Sequence, residues 1–254
     1  MENEGLDQHF MVDRGLIKRI TGYSELKATD SVLEIGPGKG FLTKELLKHS
    51  KVIAVEKDEN FKAELEKMQR ISKNLEIVFG NALKLIKTLK FNKLVANIPY
   101  NISEPLMRQL FRTQPELVVM TVSKSFADKL ADEKSKIGLQ TRLFFTIETK
   151  EEVPTKAFLP RPKTDSAVIR LIPREEETLT TTEIILREFT LLNDKKAKNA
   201  LMEAMIKGLD ITKKQSKALI IKLSLEKDLL EKNSDLLSSE EFLKLKDRIS
   251  YFTD

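Results

Sequence analysis

Between residues 31 and 172 the apolar residues fall into short runs separated by segments of helical spacing. The runs at 31–35, 52–55, 75–79, 93–96 and 117–122 are rich in Val, Ile and Leu and barely alternate with polar residues. That pattern belongs to strands buried on both faces of a sheet. Segments 42–49, 60–70 and 105–112 carry apolar residues at helical intervals. Strand and helix in alternation predict a parallel sheet with helices on both faces. Two more strands are expected at 142–149 and 166–172. The linker between them contains Pro154, Pro160 and Pro162, which excludes a long helix there. Two late strands joined by a loop read as a hairpin closing one edge. The expected class is therefore α/β, a Rossmann-like sheet of seven strands rather than the six-stranded dehydrogenase type.

Pro173 and the run Arg174-Glu175-Glu176-Glu177 mark a boundary, after which no strand pattern persists. Helices are predicted at 183–192, 195–206, 213–223 and 239–250, with Asp210 in a turn and Ser239 as an N-cap. The chain thus divides at residue 173 into a large α/β domain (1–173) and a small all-α domain (174–254).

Composition narrows the chemistry. Hydrophobic residues make up 41% of the 254 residues, enough to bury a core and to exclude wholesale disorder. No apolar run approaches the length of a membrane span, and Met1-Glu2-Asn3-Glu4-Gly5 does not resemble a secretory leader. A soluble cytoplasmic protein is the expectation. There is no cysteine, and His9 and His49 are the only histidines. Disulfides and Cys-based zinc sites are thereby excluded, and no metal centre is expected. The net charge of +5 says less than its distribution, because residues 194–222 carry a net +5 while residues 223–254 carry −3. Such a basic block is either a solvated helix face or an RNA-facing surface.

Val32-Leu33-Glu34-Ile35 leads into Gly36-Pro37-Gly38-Lys39-Gly40, a strand entering a glycine-rich turn. The spacing is G-x-G-x-G, whereas a turn that delivers a dinucleotide diphosphate to a helix needs its third glycine one position later. Gly36 and Gly38 allow close approach of a ligand. Glu34 would repel a diphosphate but could attract the ammonium of a methionine moiety. Glu56 ends the next run, 20 residues beyond Gly36. A carboxylate at that strand tip can accept both ribose hydroxyls of a nucleoside cofactor. A solvated loop residue is the other reading of Glu56, but with the glycine turn placed before it the ribose role is the better one.

The run at 93–96 ends in Asn97-Ile98-Pro99-Tyr100. Asn-X-Pro-aromatic after such a strand is the mark of methyltransferases acting on amino groups of nucleobases or glutamine amides. The adenine amine is a poor nucleophile because its lone pair is delocalised into the ring. The Asn97 side-chain oxygen and the carbonyl preceding Pro99 can accept its two N–H groups and aim the lone pair. Tyr100 offers a face on which an extruded base can stack. Positioning and electrostatics then carry the reaction, and no histidine base is required.

These motifs resemble the ribosomal RNA adenine dimethyltransferases, the KsgA type, which are related to the Erm resistance enzymes. The resemblance spans about residues 8–172 and continues weakly into the tail. Gln8-His9-Phe10-Met11-Val12-Asp13 is similar to the family's cofactor-covering segment. Residues 34–43, Glu56 and 97–100 match its cofactor and catalytic motifs. Ala157-Phe158-Leu159-Pro160-Arg161-Pro162-Lys163-Thr164-Asp165-Ser166-Ala167-Val168 matches its F-x-P-x-P-K-x-D-S-A-V loop. The resemblance implies a class I methyltransferase sheet, S-adenosylmethionine as methyl donor, and a cofactor set of His9, Met11, Gly36, Gly38, Glu56, Asn81 and Asn97. It implies a catalytic set of Asn97, Pro99, Tyr100 and Phe158, with Phe158 clamping the target base opposite Tyr100. The other reading of Phe158 is a core aromatic beneath the proline loop. The implied reaction is dimethylation of N6 on two adjacent adenines near the 3′ end of small-subunit rRNA. A monomer is expected to act on a pre-ribosomal particle, with Lys163, Lys195, Lys196 and Lys198 as RNA contacts.

Several positions depart from the family pattern. Gly80-Asn81-Ala82 replaces Gly-Asp-Ala, so a neutral amide stands where a carboxylate receives the cofactor adenine. Ser123-Lys124-Ser125 replaces Gln-Lys-Glu, and Lys134-Ser135-Lys136-Ile137-Gly138 stands where Tyr-Gly-Arg-Leu-Ser is usual. Asn193-Asp194-Lys195-Lys196 replaces an Arg-rich helix start. A competing expectation is therefore a non-catalytic relative that binds RNA as a ribosome-assembly or transcription factor.

Overall fold

The computed structural model describes residues 8–253. In chain order the elements begin with β1 (Phe10–Met11), α1 (Arg14–Tyr23), β2 (Ser31–Ile35), α2 (Phe41–Leu46), β3 (Lys51–Glu56), α3 (Lys62–Ile71), β4 (Leu75–Phe79), α4 (Ala82–Leu85) and β5 (Lys93–Asn97). They continue with α5 (Ser103–Thr113), β6 (Leu117–Ser123), α6 (Lys124–Ala131), α7 (Lys136–Phe144), β7 (Phe145–Val153), β8 (Phe158–Leu159) and β9 (Ser166–Pro173). The tail holds α8 (Thr181–Leu191), α9 (Ala197–Leu209), α10 (Lys213–Lys222), α11 (Lys227–Glu231) and α12 (Ser239–Thr253).

Seven strands form one sheet in the order β4-β3-β2-β5-β6-β9-β7. The first five pair in parallel, and β9 runs antiparallel to β6 with Ser123 opposite Ser166. Every residue of β6 is buried, as expected of a strand covered on both faces. The chain lays down β2, β3 and β4 towards one edge, then returns to place β5 and β6 on the other side of β2. The carboxyl ends of β2 and β5 therefore sit at the point where the winding reverses, where such sheets open a crevice. Glu34 and the glycine turn leave β2 there, and Asn97 leaves β5.

Three local findings differ from the sequence pattern. The strand expected at 142–149 begins only at Phe145, because residues 136–144 form α7. That helix is capped by Ser135, whose hydroxyl accepts from Gly138 N, and it buries Ile137, Leu139, Leu143 and Phe144. A short apolar run reads equally well as a strand or a buried helix, and the cap decides. The expected N-cap of α12 moves from Ser239 to Ser238, whose hydroxyl accepts from Glu241 N while the Glu241 carboxylate accepts from Ser238 N. A small second sheet pairs β1 with β8, and the sequence pattern did not indicate it.

The chain separates into two compact units, residues 1–128 with 147–173 and residues 129–146 with 174–254. A single boundary after Pro173 thus leaves out 129–146, which packs with the tail. In the second unit α7 lies against α8 and α12. The Lys136 ammonium donates to the carbonyls of Ser234, Asp235 and Leu237. Phe189 and Phe242, both buried, meet with ring centroids 6.3 Å apart.

In the first unit a buried ion pair ties the strand starts together. Lys93 Nζ at the head of β5 lies 2.9 Å from Asp30 Oδ2, and their side chains are 9% and 6% exposed. The ammonium also donates to the carbonyls of Ser24 and Glu25, and the carboxylate accepts from Lys27 N and Asn92 Nδ2. Burial alone would raise the Asp30 pKa, but the hydrogen bonds from Asn92, Lys93 and Lys27 outweigh it and hold it below the usual carboxylate value. Replacing Lys93 by Met leaves that charge buried and unpaired, and urea unfolding is expected to show a loss of about 3–5 kcal/mol. Adding Asp30→Asn should return most of it; a double variant no more stable than Lys93→Met contradicts this account.

Candidate active site

The cleft at the ends of β2 and β5 is lined by residues 8–11, by the glycine turn with Glu34, by Glu56 and Phe61, and by the tetrapeptide 97–100. Its floor follows from backbone conformations. Gly38 has φ +51°, and a β-carbon there would come within 2.6 Å of the Phe10 ring. Only glycine combines the left-handed conformation with that approach. Phe10 packs edge-on against Phe61, centroids 5.5 Å apart, and the Lys39 ammonium stands 5.2 Å from the centre of the Phe10 ring. Gln8 Nε2 donates to Asp58 Oδ2 at 2.9 Å. The N-terminal segment is thereby laid across the glycine turn. Phe61 and Asp58 carried no signal in the sequence, since their partners are distant in the chain.

Glu56, at the tip of β3, is 6% exposed. Its Oε2 accepts from Gly38 N at 3.0 Å, and its Oε1 accepts from Lys57 N and Asp58 N at 2.8 and 2.9 Å. These N–H groups fix the carboxylate at the rim of the cleft; Oε1 spends both its lone pairs on them, and Oε2 keeps one for a hydroxyl donor. Asn81 lies outside the cleft lining and is exposed; its Oδ1 accepts from Leu83 N at 2.9 Å and caps α4.

Asn97 closes β5. Its Nδ2 donates to the His9 carbonyl at 3.0 Å. Its Oδ1 is buried without a hydrogen-bond partner. The bond to His9 settles which end of the amide is which, and an uncommitted acceptor is what remains. The half-buried Tyr100 follows after Pro99, and its hydroxyl lies 2.5 Å from Ser166 Oγ. The His9 ring sits 6.1 Å from the Tyr100 ring, tilted by 34°, with its Nδ1 3.0 Å from the Pro160 carbonyl. Met11 is buried and lines the cleft.

Phe158 does not join Tyr100 in this cleft. It is 2% exposed, pairs with Met11 in the β1–β8 sheet, and belongs to the apolar core with Leu16, Ile20 and Val168. The clamp expected of it gives way to the core reading, because an aromatic ring on that strand is drawn inward by apolar neighbours. Ser166 went unremarked in the sequence, although it stands inside the proline-loop motif. Lys163 is exposed on that loop. Of the expected RNA contacts in the tail, Lys195 pairs with Glu203 and Lys196 with Glu231, at 2.6 and 2.7 Å, while Lys198 is exposed.

Comparison with known proteins bears on the whole chain. The family described as "Ribosomal RNA adenine dimethylase" matches residues 2–233. A "Probable ribosomal RNA small subunit methyltransferase A" of Methanosarcina mazei is 34% identical over 247 residues, covering 92% of this chain and 88% of that protein. Among solved structures, a dimethyladenosine transferase from Plasmodium falciparum superposes with a TM-score of 0.65 at 28% identity, covering 93% of this chain and 96% of its own. The 23S rRNA methyltransferase ErmE gives 0.63 at 25% identity, with 95% and 99% covered.

Glu34 gives the cleft an electrostatic character of its own. It is 1% exposed, lines the cleft, and its Oε2 has no hydrogen-bond partner. Burial pushes its pKa up to about 8; nearby Thr43 opposes the rise and the Glu56 charge adds to it. The folded protein thus holds a proton between the unfolded value of 4.5 and about 8 that the unfolded chain releases. Stability contributed at this site is full below the unfolded value and falls as pH rises through that window, by at most about 1.4 kcal/mol per unit. Urea unfolding of the ligand-free protein is expected to show Glu34→Gln gaining on wild type as pH climbs from 5 to 8. A difference between the two that stays constant with pH contradicts the buried, protonated carboxyl.

Proposed function

The chain belongs to the ribosomal RNA adenine dimethylase family, and on that premise we propose how this cleft methylates N6 of adenine in rRNA with S-adenosylmethionine as donor. The substrate we assign is a pair of adjacent adenines near the 3′ end of small-subunit rRNA, met by a monomer on an immature particle. The observation that carries this reading is the buried, partnerless Oδ1 of Asn97. A binding protein without catalysis has no use for an acceptor held in that way, which favours the enzyme over a non-catalytic relative.

The residues of the cleft suit a methyl donor of this kind. Glu56 Oε2 can take a ribose hydroxyl while backbone N–H groups hold the carboxylate. Glu34 presents an unpartnered carboxyl oxygen to an ammonium group. Gly36 and Gly38 let the backbone approach, and His9 and Met11 cover the site. Asn81 keeps a second lone pair on Oδ1 for the cofactor adenine. When bound, S-adenosylmethionine supplies a methyl carbon on a positively charged sulfur.

Asn97 Oδ1 accepts one N–H of the target amine, and the Ile98 carbonyl accepts the other. With both N–H bonds held, the N6 lone pair is drawn out of conjugation and aimed. With the donor bound, the cofactor would supply the methyl group to that lone pair, while Asn97 Oδ1 and the Ile98 carbonyl would hold the amine protons until one is lost. Tyr100 stacks the extruded base. Pro99 stiffens the turn that carries both groups. Phe158 supports the arrangement from the core behind Met11.

RNA contact in the tail falls on different lysines from those the sequence suggested. Lys195, Lys196 and Lys207 are matched by Glu203, Glu231 and Glu188. Lys213, Lys214, Lys217 and Lys222 are exposed, and none forms a salt bridge with a carboxylate among the described residues, while exposed Lys198 shares the Glu231 charge with Lys196. Lys213, Lys214, Lys217 and Lys222 all lie on α10, whose buried residues are Ser216 and Ile220. We assign α10 as a phosphate-tracking helix, with Lys198 and Lys163 as further cations.

Radiolabelled methyl transfer to immature small subunits is expected to place label in the RNA, and Asn97→Ala to lower the rate by about 100-fold or more. Label on protein, or an undiminished rate in Asn97→Ala, overturns the assignment. For RNA affinity, changing Lys213, Lys214, Lys217 and Lys222 to Gln should lower the slope of log affinity against log salt by about 3. Lys195→Gln with Lys196→Gln should lower it by about one or less. Equal effects from the two sets contradict the assignment to α10.

A further inference from the structure

We propose that Ser166 is a positioning residue for methyl transfer, holding the ring of Tyr100 through its hydroxyl so that the base meets a fixed stacking face. The proposal rests on the reading of Tyr100 as the base-stacking residue. Ser166 is the first residue of β9, lies opposite Ser123 of β6, and is 0% exposed. A buried hydroxyl is stable only with a hydrogen-bond partner, and the Tyr100 hydroxyl stands 2.5 Å away. Tyr100 follows a proline at the end of a strand, where a tether at the far end of the side chain fixes its direction, and the phenol hydroxyl's preference for lying in the ring plane favours one ring orientation. Tied there, the ring keeps its face for the base at no entropic cost when the base arrives.

The same loop holds the other catalytic side chain from the opposite flank. The Pro160 carbonyl lies 3.0 Å from His9 Nδ1, Ala157 O accepts from Val12 N, and the His9 carbonyl takes the Asn97 amide. Asp165, beside Ser166, accepts from Thr155 N and holds the loop's own shape. The stretch 157–168 thus reaches Asn97 through the N-terminal segment and Tyr100 through Ser166, which gives that long motif a physical role beyond its place in the sheet.

The test is a double-mutant cycle on methyl transfer to immature small subunits, with thermal unfolding and calorimetric cofactor binding on every variant. Ser166→Ala and Tyr100→Phe are each expected to lower kcat by roughly three- to tenfold, with the cofactor KM and affinity unchanged. The double variant should lose no more than either single one, since both remove the same bond. Ser166→Thr, which keeps a hydroxyl on a strand-compatible side chain, should restore most of the rate. Independent, multiplying losses overturn the proposal, as does Ser166→Ala at the wild-type rate. So does a loss in Ser166→Ala that tracks its unfolding temperature and weakened cofactor binding. Wild-type labelling of RNA that Asn97→Ala abolishes upholds the parent reading separately, so a failure at Ser166 is not mistaken for a failure of that reading. Wild-type protein that labels no RNA overturns both.

Discussion

A reversal of winding in the parallel sheet sets where everything else can be. Because β3 and β4 lie on one side of β2 while β5 and β6 lie on the other, the chains leaving β2 and β5 diverge and leave a crevice between them. The glycine turn must be left-handed at Gly36 and Gly38 to leave β2 without filling that crevice. Asn97 must be the last residue of β5 for its amide to face the same space. The buried Asp30–Lys93 pair fixes the opposite ends of these strands, so the two halves of the site keep a common register.

Over this crevice the site is assembled by polar atoms that have few alternatives. Glu56 is held by three backbone N–H groups, and the Asn97 nitrogen is committed to His9. The groups left over, Asn97 Oδ1 and Glu34 Oε2, are unpartnered and buried. Leaving such atoms unsatisfied costs stability, and a folded chain carries few of them without a ligand to use them. That both line the cleft at the reversal point is the physical argument for an amine acceptor and a cationic donor in one place. Chemistry is then a matter of pre-set geometry, which suits a chain without cysteine and with two histidines.

Charge in the tail follows the same logic of spent and unspent groups. Lysines that neutralise a neighbouring glutamate release few counterions on meeting a phosphate, whereas unpaired ones release them fully. Net charge along the sequence counts both kinds alike. Only packing separates them: Lys195 and Lys196 are paired with glutamates, and the lysines of α10 are exposed.

The linear pattern carried much of this protein. Continuous apolar runs determined the five parallel strands, because strands buried on both faces tolerate few polar side chains, and the G-x-G-x-G and Asn-X-Pro-Tyr motifs marked the two strand ends where the chemistry gathers. Those readings succeed because each depends on neighbours in the chain. Phe158 and the segment 129–146 went the other way. Whether an aromatic ring faces a ligand or a core, and which unit a helix joins, depends on partners far off in the sequence. The bonds from Tyr100 to Ser166 and from Asn97 to His9 span 66 and 88 positions. No local periodicity encodes contacts of that length, so only the tertiary structure could decide which motif residues touch the site and which hold it in place.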